Sequence, residues 1–169
     1  MFHSVDSPEL SQSRARQSWL HLLSRAPTEL LELGLGDYVS ATLEWLRKPE
    51  SGLMMVQGRV GGTGERFNLG EVTVTRCALR LTVSASASPV GVAYVLGRSH
   101  RQAQLVAIAD ALLQDEVRHK ELADRLLAPL RAWFDKKNSD RAQRAQTTRV
   151  DFFTVAREAS ATHSEEDDA

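Results

Sequence analysis

A chain of 169 residues with 42% apolar and 25% charged residues has the size and composition of one soluble domain with a buried core. Its formal net charge of −1 hides a local imbalance: six arginines (59, 66, 76, 80, 98, 101) face only Glu65 and Glu71 between residues 57 and 101. That is too sparse for the dense basic stripe of a nucleic-acid binder, and no apolar run approaches the roughly 20 residues of a membrane helix.

Taken in order, Ser7-Pro8-Glu9 reads as a helix start. Ala15, Trp19, Leu22, Leu23 and Ala26 follow at helical spacing. Pro27 ends that helix and opens a second over residues 28–33, with Gly34 as its cap. Val39, Ala41, Leu43 and Trp45 then alternate with polar residues as a strand does. Lys48-Pro49-Glu50-Ser51-Gly52 reads as a turn, and residues 53–60 as a second strand. A third covers residues 67–83, with a break at Leu69-Gly70 and a change of apolar parity that a bulge near Thr75 would reconcile. Residues 84–89 connect to a fourth strand carrying Val90, Val92, Tyr94 and Leu96. Short links between strands predict an antiparallel four-stranded meander, hence an α+β fold opened by a helix pair.

Ser99 and Gln102 form a capping box ahead of a helix with Leu105, Ile108, Ala109, Leu112 and Leu113 on its inner stripe. A second stripe, Leu122, Leu126, Leu130 and Trp133 or Phe134, crosses Pro129, which should kink the helix or restart it. Residues 135–146 are nearly all polar, as in a solvated helix or a linker. Apolar weight returns in Thr148-Arg149-Val150-Asp151-Phe152-Phe153-Thr154-Val155, which reads as a docking segment. Residues 158–169 end in Glu165-Glu166-Asp167-Asp168, and their composition predicts disorder.

The chemistry-bearing stretch is Arg59-Val60-Gly61-Gly62-Thr63-Gly64-Glu65-Arg66, between the second and third strands. Glycines let the backbone take positive φ and let another group approach closely. Arginine offers a donor fork for carboxylate or phosphate. Two readings follow: an anion-holding loop built on Arg59, Arg66 and the amides of residues 61–64, or a structural hairpin that meets a partner. The stretch lacks the Gly-Lys-Ser/Thr ending of a P-loop, and it leads to a strand rather than to the helix of a dinucleotide fingerprint. No two of the five histidines have metal-ligand spacing. His21 is expected to pack beside the first helix stripe, while His100 and His119 are expected at the surface. The single Cys77 excludes a disulfide framework or a multi-cysteine zinc site and reads as core filler. No nucleophile, base and orienting group come together, so no catalytic residue is assigned. The first residues lack the basic start and apolar core of a signal peptide, which points to the cytoplasm.

Gly61-Gly62-Thr63-Gly64-Glu65-Arg66-Phe67, Val74-Thr75-Arg76 with Arg80-Leu81, Gly97-Arg98 leading into Ala107-Ile108-Ala109-Asp110-Ala111-Leu112, and Arg149-Val150-Asp151-Phe152-Phe153-Thr154 resemble the PhnG family of the bacterial carbon–phosphorus lyase core complex. The resemblance divides the chain into a flexible leader (1–13), one PhnG-like domain (14–157) and an acidic, disordered tail (158–169). It implies an accessory subunit of phosphonate catabolism, assembled with PhnH, PhnI and PhnJ, two copies of each, and served by ATP-binding-cassette-type subunits. The complex would displace adenine from MgATP with a phosphonate, giving α-D-ribose 1-phosphonate 5-triphosphate. That step is attributed chiefly to PhnI, and carbon–phosphorus cleavage to the radical subunit PhnJ. The resemblance implies no catalytic residue and no cofactor bound by this chain alone. Arg149, Asp151, Phe152 and Phe153 become the candidate partner-docking residues. Arg59, Gly61, Gly62, Thr63, Gly64, Glu65 and Arg66 remain the candidate substrate or interface loop.

Overall fold

The computed structural model describes residues 8–40, 42–82 and 89–147. Helix α1 (Pro8–Leu23) begins at a proline, whose missing N–H is no loss in a first turn. Trp19, Leu23 and Ala26 are buried, and Leu20 and Leu22 pack partly against the same core. Pro27 keeps an extended backbone at the N-cap of helix α2 (Thr28–Leu35). This helix outruns its expected cap: Gly36, at φ 52°, makes the stop. Gly34 is instead buried inside the helix, where a Cβ would run into the Leu126 side chain. Two glycines two residues apart thus serve different ends, one conformational and one steric.

Residues 36–40 form a 3-10 turn, so the strand expected from Val39 begins only at Leu43. Strands β1 (Leu43–Arg59), β2 (Arg66–Leu81) and β3 (Val90–Leu96) form one antiparallel sheet in the order β1-β2-β3. Among the described residues the meander therefore has three strands, not four. Residues 48–52 do not turn the chain. β1 runs through them and absorbs the surplus as two irregularities, between Trp45 and Arg47 and between Arg47 and Glu50. Proline at position 49 is compatible with this because β1 is an edge strand and is bulged there.

β2 also differs from expectation. Thr75, Cys77, Leu79 and Leu81 are all buried, and pairing with β3 is unbroken from Val74 opposite Leu96 to Arg80 opposite Val90. No bulge is needed at Thr75; Val74 is simply buried on the other face. The extra residue in β2 is Leu69, left over between the Val56–Gly70 and Gln57–Asn68 pairs, with Gly70 at φ 145°.

Helix α3 (His100–Leu113) is the centre of the molecule, with every residue from Leu105 to Leu113 buried. Ser99 caps it by accepting from the Gln102 N–H at 3.2 Å. The Gln102 side chain does not complete a capping box; it donates to the Ala26 carbonyl at 2.8 Å and ties α3 to the end of α1. Gly91 lets β3 approach closely, since a Cβ there would strike the Ala107 carbonyl. Helix α4 (Glu116–Leu122) passes through a π turn (Ala123–Leu127) into helix α5 (Ala128–Thr147), so Pro129 stands in the first turn of a helix. Beyond Phe134 this helix is solvated along nearly its whole length. No helix among the described residues is long and apolar enough to cross a membrane.

Candidate functional site

β3 pairs with β2 only from Val74 onward. From Leu53 opposite Thr73 to Arg59 opposite Arg66, β1 and β2 stand as a two-stranded arm. Its ladder is reinforced by Gln57 donating to the Asn68 side chain at 3.1 Å. Apolar side chains on the arm face solvent: Leu53 is 67% exposed and Leu69 63%, with Met54, Met55, Val60 and Phe67 also open. A two-stranded ribbon by itself is marginal in water. This one exposes apolar surface of the kind that marks interaction sites.

The glycine stretch is the tip of this arm. Residues 60–62 make a 3-10 turn in which Gly61 (φ 58°) and Gly62 (φ 84°) occupy the left-handed region. The N–H groups of Thr63 and Gly64 both donate to the Val60 carbonyl, the latter at 2.8 Å. The Val60 N–H donates to the Glu65 carbonyl at 3.3 Å. Arg59 folds over the turn and its Nη1 donates to the Gly64 carbonyl at 3.1 Å. Arg66 lies directly across the ladder from Arg59 and has no ion pair among the described residues. The structure thus brings Arg59, Gly61, Gly62, Thr63, Gly64, Glu65 and Arg66 together at one exposed tip. Arg149, Asp151, Phe152 and Phe153 lie outside the described residues.

The tip's hydrogen bonding limits what it can do. Two of the four amides proposed for an anion are already paired within the turn, as is the Arg59 guanidinium. The amides of Gly61 and Gly62 and the Arg66 side chain remain, on a surface with no enclosing wall: every residue from Arg59 to Gly70 is exposed. Such a tip holds an anion strongly only if another surface closes over it.

The remaining reactive groups have structural partners. Burial pushes the Cys77 thiol up to about 11, and its Sγ donates to the Ala103 carbonyl at 3.2 Å, as suits a core residue. His21 is exposed rather than packed. His119 is half-buried rather than at the surface, its ring edge-on to Trp19 at 5.4 Å. His100 Nε2 lies 3.1 Å from Ser51 Oγ, near the root of the arm. No group of three potential metal ligands occurs among the described residues.

One residue of consequence was missed in the sequence. Asp110 is fully buried on α3 and accepts from Arg16 Nε (3.1 Å) and Nη2 (2.7 Å), Trp19 Nε1 (2.9 Å) and the Val92 N–H (3.0 Å). It clamps α1 and β3 to the central helix. The available signal was one carboxylate in an otherwise apolar helix face, since a buried charge must be paired.

A model of the family described as phosphonate metabolism protein PhnG matches residues 14–158. The α-D-ribose 1-methylphosphonate 5-triphosphate synthase subunit PhnG of Rhizobium meliloti (strain 1021) is 39% identical over 144 residues, spanning 84% of this chain and 88% of that protein. A family-model match over residues 14–158 and a relative 39% identical across most of both chains show that this chain belongs to the PhnG family of phosphonate metabolism proteins.

Proposed function

We propose that this chain is an accessory, assembly-forming subunit of an α-D-ribose 1-methylphosphonate 5-triphosphate synthase. It works in the cytoplasm beside PhnH, PhnI and PhnJ, two copies of each, with ATP-binding-cassette-type subunits. The complex replaces the adenine of MgATP with a phosphonate to give α-D-ribose 1-phosphonate 5-triphosphate. This chain supplies binding surface and holds no cofactor of its own. The observation that carries the reading is the 39% identity to the Rhizobium meliloti subunit over 84% of the chain. The exposed apolar arm supports it, because a subunit surface of this kind is stabilised when a partner buries it.

Two segments meet the partners in this reading, the arm tip and the stretch around Phe152 and Phe153. Changing Phe152→Ala together with Phe153→Ala is expected to abolish co-purification with the other subunits. An unchanged complex would remove that segment from the interface.

Arg66, exposed at the tip and without an ion pair among the described residues, favours a second reading, in which the tip reaches a nucleotide or phosphonate pocket completed by a neighbouring subunit. Arg66→Ala would then leave assembly intact and slow adenine release. Normal turnover in the assembled variant makes the tip an interface alone. A stand-alone phosphate-ligand binder is a third possibility, and calorimetry of the chain with ATP or a phosphonate separates it: the assembly reading expects no heat of binding.

A further inference from the structure

The first turns of α5 pack on the body through buried Leu130, with Arg25 stacked over the Phe134 ring. The same helix face continues past the body, because Leu130, Trp133, Lys137, Arg141 and Arg144 recur at three- and four-residue spacing. Lys136 borders this stripe, and Asp140 is the one acid on it. Trp133, Lys136, Lys137, Asp140, Arg141 and Arg144 line this open side of the helix. Lys137 Nζ sits 4.6 Å from the centre of the Trp133 ring. None of these four cations forms an ion pair among the described residues. This face thus sets four cations against one acid, over an aromatic floor.

The chain carries a matching acidic segment. Glu165-Glu166-Asp167-Asp168 lies eighteen residues beyond Thr147, where α5 ends. A random coil of that length would have a root-mean-square span of about 21–25 Å. The way back from Thr147 to Lys136 along the helix is about 16 Å. The segment therefore reaches the whole face without strain. Tethering supplies an effective concentration in the millimolar range, so even a weak ionic contact is populated. We propose that the acidic segment 165–168 docks in cis on the basic face of α5 formed by Lys136, Lys137, Arg141 and Arg144. The contact is electrostatic, so it weakens as the Debye length shrinks from about 10 Å at 0.1 M salt to 3 Å at 1 M. It does not rest on the assembly reading, and its test needs no other subunit.

The chain has a built-in control: its only lysines are Lys48, Lys120, Lys136 and Lys137, and all four are exposed. The full chain is treated with a zero-length carbodiimide at low salt, and the links are mapped by mass spectrometry in a mixture of light and isotope-labelled protein. Links from residues 165–168 to Lys136 and Lys137 are expected within single chains, in several-fold excess over Lys48 and Lys120, and lost at 1 M salt. Arg141→Glu with Arg144→Glu keeps both lysines but reverses the face, and should abolish the excess. Equal labelling of all four lysines, no links at all, or an excess that survives the double reversal would overturn the proposal. Links found only between light and labelled chains would also overturn it, because the occupant would then be the tail of a second copy.

Discussion

The half of the sheet under α3 and the free arm share strands β1 and β2, with β3 joining only the first, yet they treat apolar and polar groups in opposite ways. Under α3, Leu79, Leu81, Ala93 and Val95 are sealed against a helix buried on all sides, and the one carboxylate among them has all its hydrogen bonds filled. Along the arm, Leu53, Met54, Met55, Phe67 and Leu69 face water, and the backbone ladder with a few exposed side-chain hydrogen bonds carries the structure. Folding free energy is concentrated in the first region. The second is a surface whose stabilisation waits on contact with something else.

The sharpest way to break that contrast is at Asp110. Replacing it with alanine leaves Arg16, the Trp19 indole N–H and the Val92 N–H without their acceptor, and removing one partner of a buried pair costs about 3–5 kcal/mol. Urea unfolding of Asp110→Ala should show a loss of this order. A loss under about 1 kcal/mol would mean that water replaces the carboxylate and that the clamp is not structural. Next in size is Gly91→Ala, where the new methyl meets the Ala107 carbonyl; overpacking of this kind costs roughly 1–3 kcal/mol. Gly61→Ala at the arm tip meets no atom and carries only the penalty of its φ of 58°, roughly 1–2 kcal/mol. A loss at Gly61 well above about 2 kcal/mol would exceed what its φ accounts for and mean that the tip is packed after all.

How much of this was legible in the sequence follows from the same contrast. The α3 stripe, the helix pair and the glycine hairpin were readable because periodicity and glycine clustering are local signals. Residues 48–52 were misread because a Lys-Pro-Glu-Ser-Gly string carries turn chemistry, whereas pairing with β2 on both sides of it decides that the strand continues. Gly34 reads as a cap in the sequence because its steric role depends on Leu126, distant in sequence. Asp110 escaped notice for the same reason: Arg16 and Trp19 lie more than ninety residues away. For the tip, the sequence proposed an anion cradle or an interface loop and could not weigh them. That Arg59 and two of the amides are turned inward is a property of the folded hairpin.

A smaller effect on stability is expected from Phe67→Ser combined with Leu69→Ser. Both side chains are exposed, and surface changes away from caps and cores fall within about 0.5 kcal/mol each. Retention of partner subunits is the readout that should move. Weak retention with an unchanged unfolding midpoint would sharpen the division between the two regions. A large drop in the midpoint would erase it.

The smallest expected change lies at the junction itself. Glu50 stands where β1 bulges at the root of the arm, with its Oε1 2.7 Å from Arg47 Nη1 and 2.8 Å from Arg76 Nε. Hydrogen bonds from Arg47 first and Arg76 second hold its carboxyl below the ordinary value of 4.5, and Glu50 in turn raises Arg76. A carboxylate whose folded value is depressed adds stability that is fully present above the unfolded value and is lost as pH falls through the folded one. Glu50→Gln removes the titration. The wild type should therefore be slightly more stable than the variant at neutral pH, by a constant margin down to about 5, and the margin should close in acid below 4.5. The group is exposed, so added salt should shrink the margin as well. Urea midpoints of both proteins across that range measure it. A margin that persists in acid would mean that Glu50 holds the bulge by packing rather than by charge, and the root of the arm would then belong with the rigid half of the sheet.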